Sequence, residues 1–370
     1  MNVDELRLGM IGCGQISTRF FTQAEQLPGV RFVATCALHE ESARAKAQER
    51  GCPRWYTDYR RLLEDPEVDG VVITTPHALH TRQAIDALRA GKHTLVEKPL
   101  TTRWDEALIL AEESQRTKAT FMPLPFAHNP ALLVAMQYAR EEYLGKITGI
   151  EADLSFPGPP RSNWYYSAEA EGGAMLDTMV YPLGRVASLM GPASRLTAFA
   201  NRLIPHRLTG DGGRVESAVD DNVTILLEYP TGQQAVVRSY WAQSFMQNGT
   251  VLHGRHGAIF LSRWGRPLIV KSDLAPIPGA EKVEFLGLEN CYAPAIPAQM
   301  VEDDIVGHFV QSIRTGRRPN CDGPTGLHIA EQQMMAYVSA KESRTIDLTT
   351  TFDLWWDREP GIMDLSSGWL

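Results

Sequence analysis

A short apolar run at 8–11, Leu-Gly-Met-Ile, leads directly into Gly12-Cys13-Gly14-Gln15-Ile16-Ser17, and helical spacing resumes at once. Two glycines allow a tight backbone turn, and a helix starting straight after it leaves its first N–H groups unpaired. The pattern predicts a strand–turn–helix unit that approaches a pyrophosphate, with Gly12, Gly14, Gln15 and Ile16 on the phosphate side. Ser17 stands where glycine or alanine usually allows close helix–strand packing, and it is small enough to serve. A tight turn with no ligand is the plainer alternative.

The same rhythm continues. Strand-type runs at 6–12, 31–38, 68–74, 93–96 and 120–124 alternate with helical runs at 15–27, 40–50, 59–64, 77–90 and 105–117. Such alternation predicts an α/β fold with a parallel, doubly wound sheet, here a Rossmann domain over 1–124. The pattern changes around Pro123, Pro125 and Pro130. After a helical run at 130–142, β-type runs at 147–156, 195–201, 223–229, 234–240, 250–253 and 258–261 follow one another. They predict a second α/β domain over 125–349 with a large, mostly antiparallel open sheet, closed by helices at 299–315 and 325–343. The tail, 350–370, carries Trp355, Trp356 and Trp369 and is expected to dock on the protein itself.

Composition narrows the function. Charged residues make up 22% of the 370 and the net charge is −8, without a Lys/Arg block, which argues against nucleic acid as a partner. No run approaches the ~20 apolar residues of a membrane span, and acidic residues stand where a signal peptide has basic ones. The five cysteines are dispersed with no CxxC pair, which reads as reduced thiols in the cytoplasm. The histidines show no metal-ligand spacing with acids or cysteines, so no metal is expected.

Two strand tips carry the chemistry. The second strand ends Cys36-Ala37-Leu38-His39. An acid there would hold the ribose 2′-hydroxyl of NAD, and an arginine would accept the 2′-phosphate of NADP. Neither is present. Ala37 and His39 are the candidates at that edge, Arg44 lies close by, and the balance leans slightly to NADP. Farther on, Glu97-Lys98-Pro99 closes another strand, at the edge where doubly wound sheets bind ligands. The Lys98 ammonium can donate to a substrate hydroxyl or carbonyl oxygen, or can simply pair with Glu97.

Together these segments resemble the glucose–fructose oxidoreductase/inositol dehydrogenase (Gfo/Idh/MocA) family. The likeness rests on Ile11-Gly12-Cys13-Gly14, Thr75-Pro76-His77-Ala78-Leu79-His80, and Gly91-Lys92-His93 leading to Glu97-Lys98-Pro99-Leu100. It implies NAD or NADP on the first domain, with Thr75, Pro76, His80, Glu97 and Lys98 near the cofactor. It also implies hydride exchange with a carbon of a sugar, sugar derivative or polyol, and a homodimer or homotetramer formed through the open sheet face.

The family's second signature matches Glu171-Gly172-Gly173-Ala174-Met175-Leu176-Asp177-Thr178-Met179-Val180-Tyr181-Pro182. Asp177 falls on the substrate-binding position and Tyr181 on the catalytic one. A spacing of four puts both on one face of a helix. Glu171 and Met179 replace glycines of the pattern, and Met179 either narrows the pocket or packs. The Tyr-Pro form is similar to the branch holding glucose–fructose oxidoreductase and the dihydrodiol dehydrogenases. The resemblance implies that Lys98, Asp177 and Tyr181 meet at a cleft. Many relatives carry an arginine in the linker where Phe126 and Ala127 stand, which makes His128 and Asn129 candidates to reach substrate. Trp164, in the run 161–166, suits a carbohydrate face or ordinary packing. Two other readings are a glycosidase using transient oxidation by held NAD, and a dinucleotide-binding sensor without catalysis.

Overall fold

The computed structural model describes residues 5–124, 130–159, 163–169, 171–208, 212–262, 268–296 and 304–354. The chain runs β1 (Leu6–Ile11), α1 (Ser17–Ala24), β2 (Val30–Cys36), α2 (Glu40–Arg50), β3 (Arg54–Tyr56), α3 (Tyr59–Glu64) and β4 (Gly70–Ile73). A 3-10 turn, His77–Leu79, precedes α4 (His80–Arg89); β5 (His93–Val96), α5 (Trp104–Arg116) and β6 (Phe121–Pro123) follow, and a second 3-10 turn covers Asn163–Tyr166. Next come α6 (Pro130–Tyr138), α7 (Glu141–Leu144), β7 (Ile147–Ser155), α8 (Ala174–Asp177) and α9 (Val180–Met190). Then come β8 (Arg195–Asn201), β9 (His206–Leu208), β10 (Arg214–Glu216), β11 (Asn222–Glu228), β12 (Gln234–Tyr240), β13 (Gln247–Gly254) and β14 (Gly257–Ser262). The chain finishes with β15 (Leu268–Ser272), β16 (Ala280–Phe285), β17 (Leu288–Pro294), α10 (Ile305–Thr315), α11 (Gly323–Glu342) and β18 (Ile346–Asp347).

These elements form two compact units. The first comprises Met1–Phe126 with Asp304–Ala330, the second Ala127–Asp303 with Glu331–Leu370. In the first unit β1 to β6 make a parallel sheet in the order β3-β2-β1-β4-β5-β6. Strand periodicity sorts its residues between two cores. Leu8, Met10, Val72 and Leu95 join Phe20 and Phe21 of α1. Ile11, Val71, Ile73 and Val96 join Leu62, Ala84, Ile85 and Leu88 on the opposite face. The sheet is therefore doubly wound, as its strand–helix alternation predicts.

The sequence reading keeps 125–349 together, but α10 packs in the first unit. Val306, Phe309, Val310 and Ile313 share the core of Phe20 and Phe21. The Asp304 carboxylate caps α10 by accepting the Gly307 N–H at 2.9 Å.

In the second unit ten strands form one sheet, ordered β16-β17-β15-β14-β13-β7-β12-β11-β8-β18. Its pairs are antiparallel except β7 with β12. Helix α9, whose buried residues include Leu183, Val186 and Ala187, packs on β7 and β12 and leaves alternate strand residues on the other face.

Several boundaries differ from the sequence reading. The helix expected over 15–27 is Ser17–Ala24, because Gln15 and Ile16 belong to the turn. The run at 130–142 breaks into α6 and α7. The single helix expected to carry Asp177 and Tyr181 is interrupted: Thr178, at φ −120° and ψ −27°, ends α8 before α9 begins. Strands β3, β9, β10 and β15 to β18 had not been anticipated; most are short, and β16 (Ala-Glu-Lys-Val-Glu-Phe) has little apolar signal. Among the described residues no helix is long and apolar enough to cross a membrane. His128 and the tryptophans of the tail lie outside the described residues.

Candidate active site

The strand register of the first unit assembles its edge. Ile11 pairs with both Cys36 and Ile73, and Ile73 pairs with Val96. The next residues, Gly12, Ala37, Thr74 and Glu97, therefore leave the sheet in one row at its carboxyl edge. Strand order reverses between β1 and β4, the position where such sheets bind ligands. Gly12 has φ +102°, and a Cβ there would lie 2.7 Å from the Thr74 carbonyl carbon and oxygen. Only glycine lets the loop pass so close. A Cβ on Gly14 would meet nothing within 4 Å, so its backbone is open to a ligand. Gln15 and Ile16 are exposed beside it. The buried Ser17 fits because its hydroxyl donates to the Gly14 carbonyl at 2.6 Å.

Thr75 and Pro76 follow β4, and His80 opens α4 after the 3-10 turn. The buried His80 ring spans two backbone carbonyls, with Nε2 2.7 Å from the Thr75 oxygen and Nδ1 2.8 Å from the Pro99 oxygen. Burial pushes its pKa below the usual histidine value, while the two carbonyls and Glu97 pull it back. His80 thus ties the turn after β4 to the turn after β5 and also opens α4. The Glu97 carboxylate is buried and accepts the Lys98 backbone N–H at 2.9 Å. The Lys98–Pro99 bond is cis. At the tip of β2, Ala37 donates its N–H to the Tyr56 carbonyl, and Leu38 and His39 are exposed.

In the second unit the glycine pair sets the approach to α8. A Cβ on Gly172 would stand 2.2 Å from the Tyr165 carbonyl oxygen; Gly173 has φ +103°, and a Cβ on it would stand 2.9 Å from the Asp220 carboxylate. Glu171 adopts φ +55°, so the side chain in the glycine position keeps a left-handed backbone. Asp177 closes α8 with 6% of its surface exposed. Tyr181 is half-buried in the first turn of α9. Met179 is fully buried, so the larger side chain packs in the core. Between the two helices the Thr178 hydroxyl accepts from the Trp241 indole at 2.8 Å and meets the Ser239 hydroxyl at 2.7 Å. Trp164 and Tyr165 stack with ring centroids 3.8 Å apart, and the Tyr165 carbonyl accepts the Gly173 N–H. Lys98 thus belongs to the first unit, and Asp177, Tyr181 and Trp164 to the second.

Family models match both units. Residues 6–124 match the oxidoreductase family with an NAD-binding Rossmann fold, and residues 133–260 match the GFO/IDH/MocA C-terminal domain. A dTDP-3,4-didehydro-2,6-dideoxy-alpha-D-glucose 3-reductase of Actinomadura kijaniata is 31% identical over 86% of this chain and 97% of its own. The chain belongs to the Gfo/Idh/MocA oxidoreductase family. A trans-1,2-dihydrobenzene-1,2-diol dehydrogenase of Sus scrofa is 29% identical over 78% of this chain and 85% of its own. A levoglucosan dehydrogenase solved with NADH and L-sorbose superimposes with a TM-score of 0.80 at 22% identity, covering 93% of this chain and 99% of that one; at that identity the likeness is one of fold.

A Gfo/Idh/MocA enzyme uses a nicotinamide dinucleotide, and the first unit fits one. A Cβ would close the cradle at Gly12, and Gly14 is open just before the start of α1. Among the described residues no cluster of histidine, cysteine, aspartate and glutamate could hold a metal ion. The sequence reading missed the supports of α8: Asp220, Trp241, Gln333 and Tyr337. Their spacing carries no motif. The adjacent acids Asp220-Asp221 just before β11 are the one sequence signal that could have drawn attention.

Proposed function

We propose that this oxidoreductase interconverts a secondary alcohol and a ketone on a sugar, sugar derivative or polyol. The observation that carries the reading is Lys98, which directly follows Glu97 of the edge row that holds the Gly12 cradle. A bound NAD(P) supplies the acceptor or donor of hydride. Lys98 donates a hydrogen bond to the reacting oxygen and takes or returns its proton through Nζ. Tyr181 relays that proton through its phenol oxygen, and the Asp177 carboxylate orients neighbouring hydroxyls by accepting their hydrogen bonds. The stacked Trp164 offers an apolar face to sugar C–H groups. Gly12, Gly14, Gln15 and Ile16 hold the pyrophosphate. Thr75, Pro76, His80 and Glu97 shape the rim, and Ala37 and His39 flank the adenosine ribose. With no acid at Ala37, and with His39 and Arg44 exposed, the balance favours NADP.

Two coarser features extend the reading. The enzyme works in the cytoplasm, in keeping with five cysteines that are all unbridged. It also associates through the sheet face that α9 leaves open. Phe199 and Leu226 are 66% and 45% exposed there, on the adjacent strands β8 and β11.

The test is turnover of D-glucose, D-xylose, levoglucosan and myo-inositol with NAD⁺ and NADP⁺ in turn. Formation of reduced nicotinamide with at least one sugar supports the reading. Dinucleotide binding with no turnover of any sugar, in either direction, counts against it.

A further inference from the structure

Helix α8 is a single turn, Ala174–Asp177, and it ends on the residue assigned to substrate. One isolated turn does not sustain itself in water, because nucleation costs more than its few hydrogen bonds return. What fixes Asp177 must therefore lie outside α8. The Thr178 hydroxyl donates to the Ala174 carbonyl at 3.1 Å, and two more distant elements meet the same backbone. Asp220 takes the first two N–H groups: its main-chain oxygen accepts from Ala174 at 3.0 Å, and Oδ2 accepts from Met175 at 2.7 Å. Helix α11 meets the other end and the cap together. Gln333 Nε2 donates to the Met175 carbonyl at 2.5 Å, and one turn later the Tyr337 hydroxyl donates to Asp220 Oδ1 at 2.7 Å.

Asp220 is itself anchored by its neighbour. The Asp221 carboxylate accepts the Leu203 and Ile204 N–H groups at 2.8 Å and pairs with the buried Arg207 guanidinium at 2.8 Å. The fit leaves little room, since a single carbon added to Gly173 would come within 2.9 Å of Asp220 Oδ1.

We infer that Asp220 and Tyr337 are positioning residues: with Gln333 they clamp α8 and so set where the Asp177 carboxylate meets the substrate. Both act through Asp177, and the inference rests on the reading of Asp177 as a substrate ligand. Removal of the clamp weakens substrate binding and leaves the dinucleotide site, built on the other unit, unchanged.

The experiment compares Asp220→Asn, Asp220→Ala and Tyr337→Phe with the wild type in two arms. Hydrogen exchange over residues 172–179 reads the clamp without any substrate. Exchange there should quicken in Tyr337→Phe and most in Asp220→Ala, with Asp220→Asn between wild type and Asp220→Ala because its amide oxygen can still accept from Met175. Steady-state kinetics with D-xylose and levoglucosan should show KM raised by about threefold to tenfold per lost hydrogen bond. The same variants should show a much smaller fall in kcat and an unaltered NADP⁺ dissociation constant. Wild-type exchange in both Asp220→Ala and Tyr337→Phe would overturn the clamp. A parallel loss of kcat and NADP⁺ affinity at constant KM would show a purely structural role and overturn the positioning claim. If Asp220→Ala fails to fold, Tyr337→Phe, which loses a single oxygen, decides. If the wild type turns over no sugar of the panel in either direction, the functional reading is what fails, and the exchange arm still judges the clamp.

Discussion

Lys98 carries the chemistry proposed for this enzyme, and its replacement separates chemistry from binding. Lys98→Met keeps an unbranched side chain, one atom shorter, and removes the ammonium group that carries the proton. Turnover should fall by about 10²–10⁴-fold, with the dinucleotide dissociation constant, read by fluorescence titration, moving little. Equal losses in both would mean that Lys98 holds the cofactor and moves no proton. The proposed reading puts cofactor choice at another strand tip of the same sheet, that of β2. Ala37→Asp places a carboxylate at the end of β2, where it accepts from a ribose hydroxyl and repels a 2′-phosphate. Competition titration should show NADP⁺ affinity falling by about tenfold or more relative to NAD⁺. An unchanged ratio would place the ribose elsewhere. Residues of this kind are legible in sequence because a strand end fixes where their backbone leaves the sheet. Gly12 is the clearest: the turn it marks is one that the Thr74 backbone allows to no other residue. His80 was legible only in part. Its motif places it at a helix start, but the Pro99 carbonyl on its Nδ1 is 19 residues away and has no local signal.

The α/β series of the first unit could be read from periodicity because each element buries one face and repeats at the expected spacing. The second unit resisted for a physical reason. Its α8 and α9 are divided at Thr178, whose hydroxyl is committed to the Trp241 indole and the Ser239 hydroxyl, 63 and 61 residues away. A spacing of four between Asp177 and Tyr181 therefore does not report one continuous helix. Strands β16 and β17 form a largely exposed hairpin, so their sequences carry little hydrophobic alternation. Helix α11 contributes another tertiary contact with no sequence signature. The buried Glu331 carboxylate accepts the backbone N–H and hydroxyl groups of both Thr349 and Thr350. Burial alone would raise its pKa, but those four donors hold it below the usual glutamate value. Glu331→Gln should cost about 1.5–3 kcal/mol of unfolding free energy near neutral pH, measured by urea titration. A carboxylate depressed in the folded state stabilises above its unfolded pKa of about 4.3. The gap between wild type and Glu331→Gln should therefore close as pH falls below that value and through the lower folded one. A gap constant down to the acid transition would rule the carboxylate out as its source.

The proposed site residues fall on both units, so association and activity can be tested apart. The proposed interface uses Phe199 and Leu226, which share one face of the ten-stranded sheet through the pairs Thr224–Phe199 and Leu226–Thr197. Phe199→Glu with Leu226→Glu should shift the sedimentation coefficient to that of a monomer and leave NADP⁺ affinity intact. Unchanged sedimentation would remove this face as the interface. The α10 segment carries a related lesson about sequence. Its amphipathic pattern shows that it buries one face, but not that Val306, Phe309 and Val310 bury it beside Phe20 and Phe21, some 290 residues earlier. The central claim, hydride exchange between a nicotinamide and a sugar carbon with Lys98 moving the proton, is tested most directly by one assay. Wild type and Lys98→Met are mixed with NAD⁺ or NADP⁺ and the sugar panel, and the absorbance of reduced nicotinamide is followed. Reduction is expected from the wild type with at least one sugar, and at a rate lower by about 10²-fold or more from Lys98→Met, under conditions where both proteins bind the dinucleotide equally. Wild-type rates from Lys98→Met would contradict the claim.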